Sequence, residues 1–403
     1  EMRRLPTRAL LLIGLTGACL LAARIAPAAE EDEAGFVPLF DGKTLEGWKK
    51  VGGGATYRVE DGCIVGEVGP GPNTFLRTEK TYGDFILKLD AKLDVPGNSG
   101  IQFRSHQREA PDGNGRVFGY QCEIDPSDRA WTAGIYDEAR RGWLYPLAGH
   151  PEAQKAFHKD DWNHFVIEAR GPHLRTWLNG VPCADLLDPM DLEGFIALQV
   201  HAGKQGRIRW KNIRLKDLGR SHWKPLWDGQ SLDGWEKSGG GDWAIEAGAI
   251  HGTNSSNQPR HGHLMTKDRF GDFAVRLKFQ ISRGNSGLYF RAEPGGQEGI
   301  EGLQADIDGQ RKDTGGLYDI GGRGWLARPK PEDLKKGLKA NDWNELSVIA
   351  LGDRIVVHLN GQKTAEITDP QGRKRGKIAL QLHGGQDVDV RFKDIDILRI
   401  NGN

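Results

Sequence analysis

Alternation of apolar and polar residues is the strongest signal along this chain. In FILKLDAKL (85–93), Phe85, Leu87, Leu89, Ala91 and Leu93 share one parity, and Ile86, Lys88, Asp90 and Lys92 the other. FAVRLKFQI (273–281) repeats the pattern with Phe273, Val275, Leu277, Phe279 and Ile281. A period of two over this length is a half-buried strand. Asn179-Gly180 and Asn360-Gly361 each separate two strand-like runs. Asn-Gly supplies the two positive-φ residues of a type I′ hairpin. Helical periodicity is sparse. The plausible helix starts are HPEAQKAF (150–157) and KPEDLKKGL (330–338), each just ahead of a DWN strand. Many short strands with turns at steady intervals predict an all-β protein built from sandwiches.

The pattern occurs twice, at an offset of about 182–187 residues. PLFDGKTLEGW (38–48) returns as PLWDGQSLDGW (225–235), and GNSGIQFR (97–104) as GNSGLYFR (284–291). YQCEID (120–125) returns as LQADID (303–308), and ALQVHAG (197–203) as ALQLHGG (379–385). The period is too long for a solenoid unit. Two tandem domains are expected, over residues 36–218 and 222–400.

Strand parity then selects candidate chemistry. Ile101 and Phe103 face the core, so Gln102 and Arg104, with Tyr289 and Arg291 in the second copy, point away. Gln121, Glu123 and Asp125 share a face, as do Gln304, Asp306 and Asp308. Gln199 and His201 point away from the core, and so do Gln381 and His383. Each copy thus offers an Arg, two carboxyls, Gln side chains and a His on one sheet face. A solvated face normally carries polar residues. The same types at matched positions twice favour a site. Trp143 and Trp325, in loop-like RGW stretches, and Tyr136 and Tyr318 upstream offer flat apolar platforms for a sugar ring. Trp48, Trp235, Trp162 and Trp343 are expected in the cores.

Composition narrows the classes. The 403 residues carry 55 basic and 55 acidic side chains, so there is no basic field to attract nucleic acid or anionic lipid. Residues 1–29 read as a secretory signal peptide: Arg3, Arg4 and Arg8, a short apolar run, then Ala26-Pro27-Ala28. An uncleaved anchor or a lipoprotein through Cys19 fits these residues less well. The mature chain is expected to be periplasmic or secreted, with no membrane attachment. Cys63, Cys122 and Cys183 are an odd set without zinc spacing, expected as buried small residues.

Together LFDGKTLEGW, GDF, GNSGIQFR, GIY…GW, DWN, LNG and LQVHAG resemble the 3-keto-disaccharide (3-keto-glycoside) hydrolase domain family, in the same order in both copies. The resemblance implies two tandem concanavalin A-like jelly rolls. It also implies an exported enzyme acting on glycosides whose C3 hydroxyl is oxidised to a ketone. The family's carboxylate strand often reads Glu-x-Gln with a later Asp; here it reads Gln-x-Glu-x-Asp and Gln-x-Asp-x-Asp. Such chemistry needs a base near C2, an electrophile for the enediolate and an acid for the leaving oxygen. Glu123 or Asp306 would be the base. Arg104 or Arg291, with a possible divalent ion on nearby carboxyls, would stabilise the oxyanion. His201 or His383 would be the acid, or a metal ligand. Gln121, Asp125, Tyr136, Trp143, Gln199, Gln304, Asp308, Tyr318, Trp325 and Gln381 would contact the sugar. The alternatives are a non-catalytic tandem carbohydrate-binding module and a two-carboxylate glycosidase using Glu123 and Asp125. Linkage, aglycone and oligomeric state are not fixed by the sequence.

Overall fold

The computed structural model describes residues 33–110 and 115–400. The signal-peptide reading of residues 1–29, with Cys19, lies outside them. Among the described residues no helix is long and apolar enough to cross a membrane.

Among the described residues the chain forms four antiparallel sheets, two in each repeat. In the first repeat one sheet runs Val181–Leu187, His173–Leu178, Asn163–Arg170, Asp84–Val95, Arg207–Gly219, Cys63–Glu67, Thr56–Glu60. The facing sheet runs Gly142–Tyr145, Ile135–Glu138, Val117–Ile124, Ser99–Gln107, Phe195–Val200, Thr74–Thr78, Trp48–Gly52. Half of the neighbouring strand pairs in the two sheets are distant in sequence, crossing through Asp84–Val95, Arg207–Gly219 and Phe195–Val200, which makes each repeat a jelly roll. The second repeat reproduces the order strand for strand, its site-bearing sheet running from Gly324–Ala327 through Ile300–Asp308, Asn285–Pro294 and Lys377–Leu382 to Trp235–Gly239. The protein is therefore all-β, with two tandem concanavalin A-like sandwiches.

Alternation fills the cores as read. Phe85, Leu87 and Leu89 are fully buried in one core, and Phe273, Val275 and Leu277 in the other. The Asn-Gly turns have positive φ at both residues: 50° and 80° at Asn179-Gly180, 49° and 78° at Asn360-Gly361. Among the described residues the two helices are Pro151–Lys155 and Pro331–Gly337. Cys63, Cys122 and Cys183 are free and buried. Trp48 and Trp235 enter the cores. Trp162 and Trp343 do not: each lies half-buried under a lysine, Lys211 at 3.9 Å and Lys393 at 4.1 Å. Trp143 and Trp325, read as loop residues, sit in the short strands Gly142–Tyr145 and Gly324–Ala327.

The two repeats also share contacts. Leu187 of the first packs with Ala274, Ile349, Val356 and Leu398 of the second. Arg141 Nη1 donates to Gly361 O at 2.9 Å, and Arg354 pairs with Asp185 at 2.5 Å.

Parity fails at one repeated position. Arg104 and Arg291 have φ of 45° and 47°, and the strand register shifts there. A bulge adds a residue and breaks the alternation. The guanidinium groups therefore leave the polar face for the sheet end. Arg104 is fully buried and donates to Gly83 O (2.8 Å), Gly171 O (2.6 Å), Asp191 O (3.2 Å) and Asp84 Oδ1 (2.7 Å). Arg291 does the same with Gly352 O at 2.8 Å, Gly271 O at 3.5 Å and Asp272 at 3.3 Å. Both arginines tie the two sheets together, and neither is placed to stabilise an oxyanion beside Glu123 or Asp306. Arg104→Met removes the positive charge that pairs with Asp84, which keeps the Gly171 N–H and Ser221 Oγ–H donors, and takes the guanidinium donor from three carbonyls, so unfolding in urea should show a loss of about 3–5 kcal/mol. A loss below about 1 kcal/mol would contradict this role.

Candidate active site

The eight-residue repeat explains the site from the backbone upward. A Cβ at Gly100 would lie 2.3 Å from Gln121 Cδ, and one at Gly287 2.4 Å from Gln304 Nε2. Only glycine lets the glutamine of the adjacent strand lie flat across it. Ser99 Oγ donates to Gln199 O at 2.6 Å, and Ser286 Oγ to Gln381 O at 2.6 Å, fastening the strand on its other side. The asparagine completes the set. Asn98 Nδ2 donates to Glu123 Oε1 at 2.5 Å while Gln121 Nε2 donates to Glu123 Oε2 at 2.8 Å. In the second copy Asn285 and Gln304 both reach Asp306 Oδ1 at 3.1 Å. Each motif thus delivers a buried carboxyl between two amide donors.

In the first copy this carboxyl stands at the floor of a cleft of about 500 Å³. Gln121, Glu123, Tyr136, Trp143 and His201 line it, with Asn73, Asn98, Arg116, Arg129 and Glu138. Behind Glu123 runs a chain of donors: Ser105 Oγ to Gln102 Oε1, and Gln102 Nε2 to Gln121 Oε1, both at 2.6 Å. Burial raises the Glu123 carboxyl above its ordinary range, against the pull of Asn98 and Gln121. Trp143 meets Trp131 edge to face at 4.8 Å and Tyr136 at 5.2 Å. Arg129 caps both indoles, 4.8 Å from Trp131 and 4.9 Å from Trp143. The exposed His201 ring lies at the opening, its Nδ1 2.7 Å from Ala202 O. A carbonyl only accepts, so Nδ1 carries a proton and Nε2 is left for a ligand.

The second cleft, about 400 Å³, holds Gln304, Asp306, Asp308, Tyr318, Trp325, Gln381 and His383. Burial pushes the Asp306 carboxyl up to about 7, opposed by the Asn285 hydrogen bond and assisted by the charges of Asp308 and Asp313. His383 Nδ1 is tied to Gly384 O at 2.7 Å, as in the first copy. His261 adds a second ring, edge to face with His383 at 4.5 Å. Burial and the neighbouring His383 hold His261 below the usual histidine range. His263, beneath it, is pushed down to about 4 by burial.

Several expected residues do other work. Arg104 and Arg291 lie at the bulges. Asp125 binds Arg129 at 2.8 Å and Ser127 N at 3.1 Å, shaping the turn rather than lining the cleft. Gln199 is fully buried beneath the sheet surface and lines neither cleft wall nor floor. Among the described residues no group of three or more His, Cys, Asp or Glu side chains is arranged to hold a metal, so the possible divalent ion finds no ligand set there. Sequence reasoning missed Asn98 and Asn285, although both stand inside the repeated GNSG. It also missed Asn73, Arg116, Arg129 and Glu138, and His261 in the second copy. These differ between copies, so repetition could not reveal them.

The model of the 3-keto-alpha-glucoside-1,2-lyase-like domain matches residues 35–216 and again 222–398. The chain belongs to this family. A 3-keto-disaccharide hydrolase of Bacteroides thetaiotaomicron is 31% identical over 93 residues, 21% of this chain and 32% of that protein. The match therefore spans about a third of that relative's length. Among solved structures, a candidate glycosyl hydrolase from Parabacteroides distasonis is 23% identical, covering 47% of this chain and 98% of that one at a TM-score of 0.35. The carbohydrate-binding module CBM66 from Bacillus subtilis is 19% identical, covering 41% and 95% at a TM-score of 0.34.

The raised Asp306 carboxyl has a consequence for stability. Unfolded, it titrates near 4; folded, near 7. Between these values the folded state holds the extra proton. The stabilisation is complete below about pH 4 and is lost as pH rises through 7. Asp306→Asn removes this loss. The stability difference between variant and parent should change by about 1.4 kcal/mol per pH unit inside the window, in favour of the variant. A difference independent of pH from 4 to 7.5, measured by urea unfolding, would contradict the raised carboxyl.

Proposed function

We propose that the chain is an exported enzyme that cleaves 3-keto-glycosides by elimination and hydration. The observation that carries this reading is the buried carboxyl between two amides at the floor of an open cleft, present in both copies. A carboxyl raised toward neutrality suits reversible proton transfer near physiological pH.

The C3 ketone makes the C2 hydrogen acidic. Glu123, or Asp306 in the second copy, takes that proton as carboxylate. The C2–H electron pair forms the C1–C2 double bond by way of the enediolate, and the C1–O bond breaks with its electrons on the departing oxygen. His201 or His383, entering as the imidazolium, gives that oxygen its Nε2 proton and is left neutral, while its Nδ1–H stays on the backbone carbonyl and fixes the ring. Water then adds to C1, its released proton going to Nε2 of the histidine, and the carboxyl returns its proton to C2, so the net change is hydrolysis. Positive charge for the enediolate comes from Arg116 and Arg129 in the first cleft and Lys312 in the second, all cleft-lining. They replace the two bulge arginines in this role. Trp143 and Tyr136, or Trp325 and Tyr318, wall the sugar ring. A two-carboxylate glycosidase built on Glu123 and Asp125 has no support, because Asp125 is bound into its turn by Arg129. Export rests on residues 1–29.

Replacing Glu123 by Gln keeps the shape and loses the base. In a background silenced by Asp306→Asn, Glu123→Gln should lower turnover of a 3-keto-glucoside by about 10²–10⁴-fold while binding persists. Unoxidised glucosides should stay intact, since their C2 hydrogen is not acidic. Equal cleavage of oxidised and unoxidised substrates would refute the elimination route. Sugar binding without turnover of either would leave a carbohydrate-binding module.

A further inference from the structure

A second cavity, of about 680 Å³, opens beside the first cleft. Asn73, Arg116 and Glu138 line both, so the two spaces adjoin at these three polar residues. Beyond them the character changes. The remaining walls are Gly52, Pro72, Phe75, Val117 and Ala202. Phe75 and Val117 belong to an apolar cluster with Val51, Phe195 and Ala197 on the sheet face turned away from the core. None of these walls has a side chain that can donate or accept a hydrogen bond. A second sugar ring seated there would bury hydroxyls without partners, which is costly. An apolar group would lose nothing and would gain by burial.

From this geometry we infer that the second cavity is the leaving-group subsite of the first copy, and that it takes an apolar aglycone rather than another sugar. The occupant follows from adjacency: a molecule with a sugar at Glu123 and a body against Phe75 places its glycosidic oxygen at the shared boundary of Asn73, Arg116 and Glu138. Glu138 is suited to that junction. It is buried, Asn73 Nδ2 donates to it at 3.4 Å, and burial raises its carboxyl.

The second copy is built differently at the matching places. Phe75 pairs with Gln199 across the sheet, and His263 pairs with Gln381 in the same way. The apolar floor is thus replaced by imidazole. Gly302 O accepts from Ile320 N, just as Gly119 pairs with Glu138 in the first copy, so the junction carboxyl is replaced by isoleucine. The subsite is a property of the first copy alone, and the two clefts are specialised for different aglycones.

The inference rests on the proposed reaction only for calling the occupant a leaving group. Methyl and n-hexyl glucosides, each with and without the 3-keto group, separate the two ideas, because methanol and hexanol are leaving groups of nearly equal acidity. Calorimetric titration of the full chain carrying Glu123→Gln and Asp306→Asn gives affinities without turnover. The hexyl compound should bind at least about tenfold more tightly than the methyl compound. Ala202→Trp fills the cavity while keeping the backbone bonds of residue 202, and should reduce that ratio to near one; Ala202→Leu, a smaller intrusion, should reduce it part-way. Equal affinities in the starting protein, or an undiminished hexyl preference in a folded Ala202→Trp protein, would overturn the subsite. A hexyl preference that depends on residue 202, with no cleavage of any 3-keto compound by the unsubstituted chain, would keep the subsite and overturn the reaction.

Discussion

A carboxyl buried at the floor of a cleft, on the sheet face turned away from the core, needs donors, and here it obtains them from side chains that themselves need room. That constraint organises each half of the molecule. Glu123 is held because Gln121 lies flat, and Gln121 lies flat because position 100 has no Cβ. Asn98 approaches from the strand's start to close the other oxygen. The four residues GNSG thus set the backbone approach, the strand fastening and the second donor at once. The same arrangement in the second copy holds Asp306, one methylene shorter, with looser contacts of 3.1 Å. Burial then opposes ionisation in both, and two amides are too few to cancel it.

Duplication kept this device and released its surroundings. The carboxyl, its two amides, the Tyr–Trp wall and the histidine whose Nδ1 is tied to a carbonyl recur. The rim and floor differ: Arg116, Glu138 and Phe75 in one copy, His261, His263 and Ile320 in the other. Matching parts serve the chemical step proposed for both, and differing parts lie where the remainder of a ligand would extend. The contacts between the sandwiches, through Leu187 and the Arg141–Gly361 hydrogen bond, join the two clefts in one chain without merging their cores.

Much of this was legible in the residues. Period-two runs placed Phe85 through Leu93 correctly, and Asn-Gly pairs located two hairpins. The face carrying Gln121 and Glu123 followed from parity alone. Parity failed where the backbone stopped alternating. Arg104 and Arg291 enter the left-handed region, and no pattern of apolar residues signals a bulge filled by arginine rather than glycine. Their repetition marked structural need, not chemistry, because tying two sheets through buried carbonyls is as demanding as a site. Asp125 was misplaced for a related reason: its parity was right, but a strand end turns, and an aspartate there binds the turn. Asn98 was visible but unused, since it precedes the strand and parity says nothing of it. Residues that differ between the copies carried no repeated mark at all.

The central claim is that the amide-held carboxyl moves the proton at C2. The 3-keto derivative of 1,5-anhydroglucitol isolates that step, because it has the acidic C2 hydrogen but no glycosidic oxygen at C1 to expel. In deuterium oxide the protein should exchange the C2 hydrogen for deuterium, as followed by proton NMR, with the compound otherwise intact. The double variant Glu123→Gln, Asp306→Asn should exchange it no faster than buffer. Binding without exchange in the unsubstituted protein, or undiminished exchange in the double variant, would contradict the account.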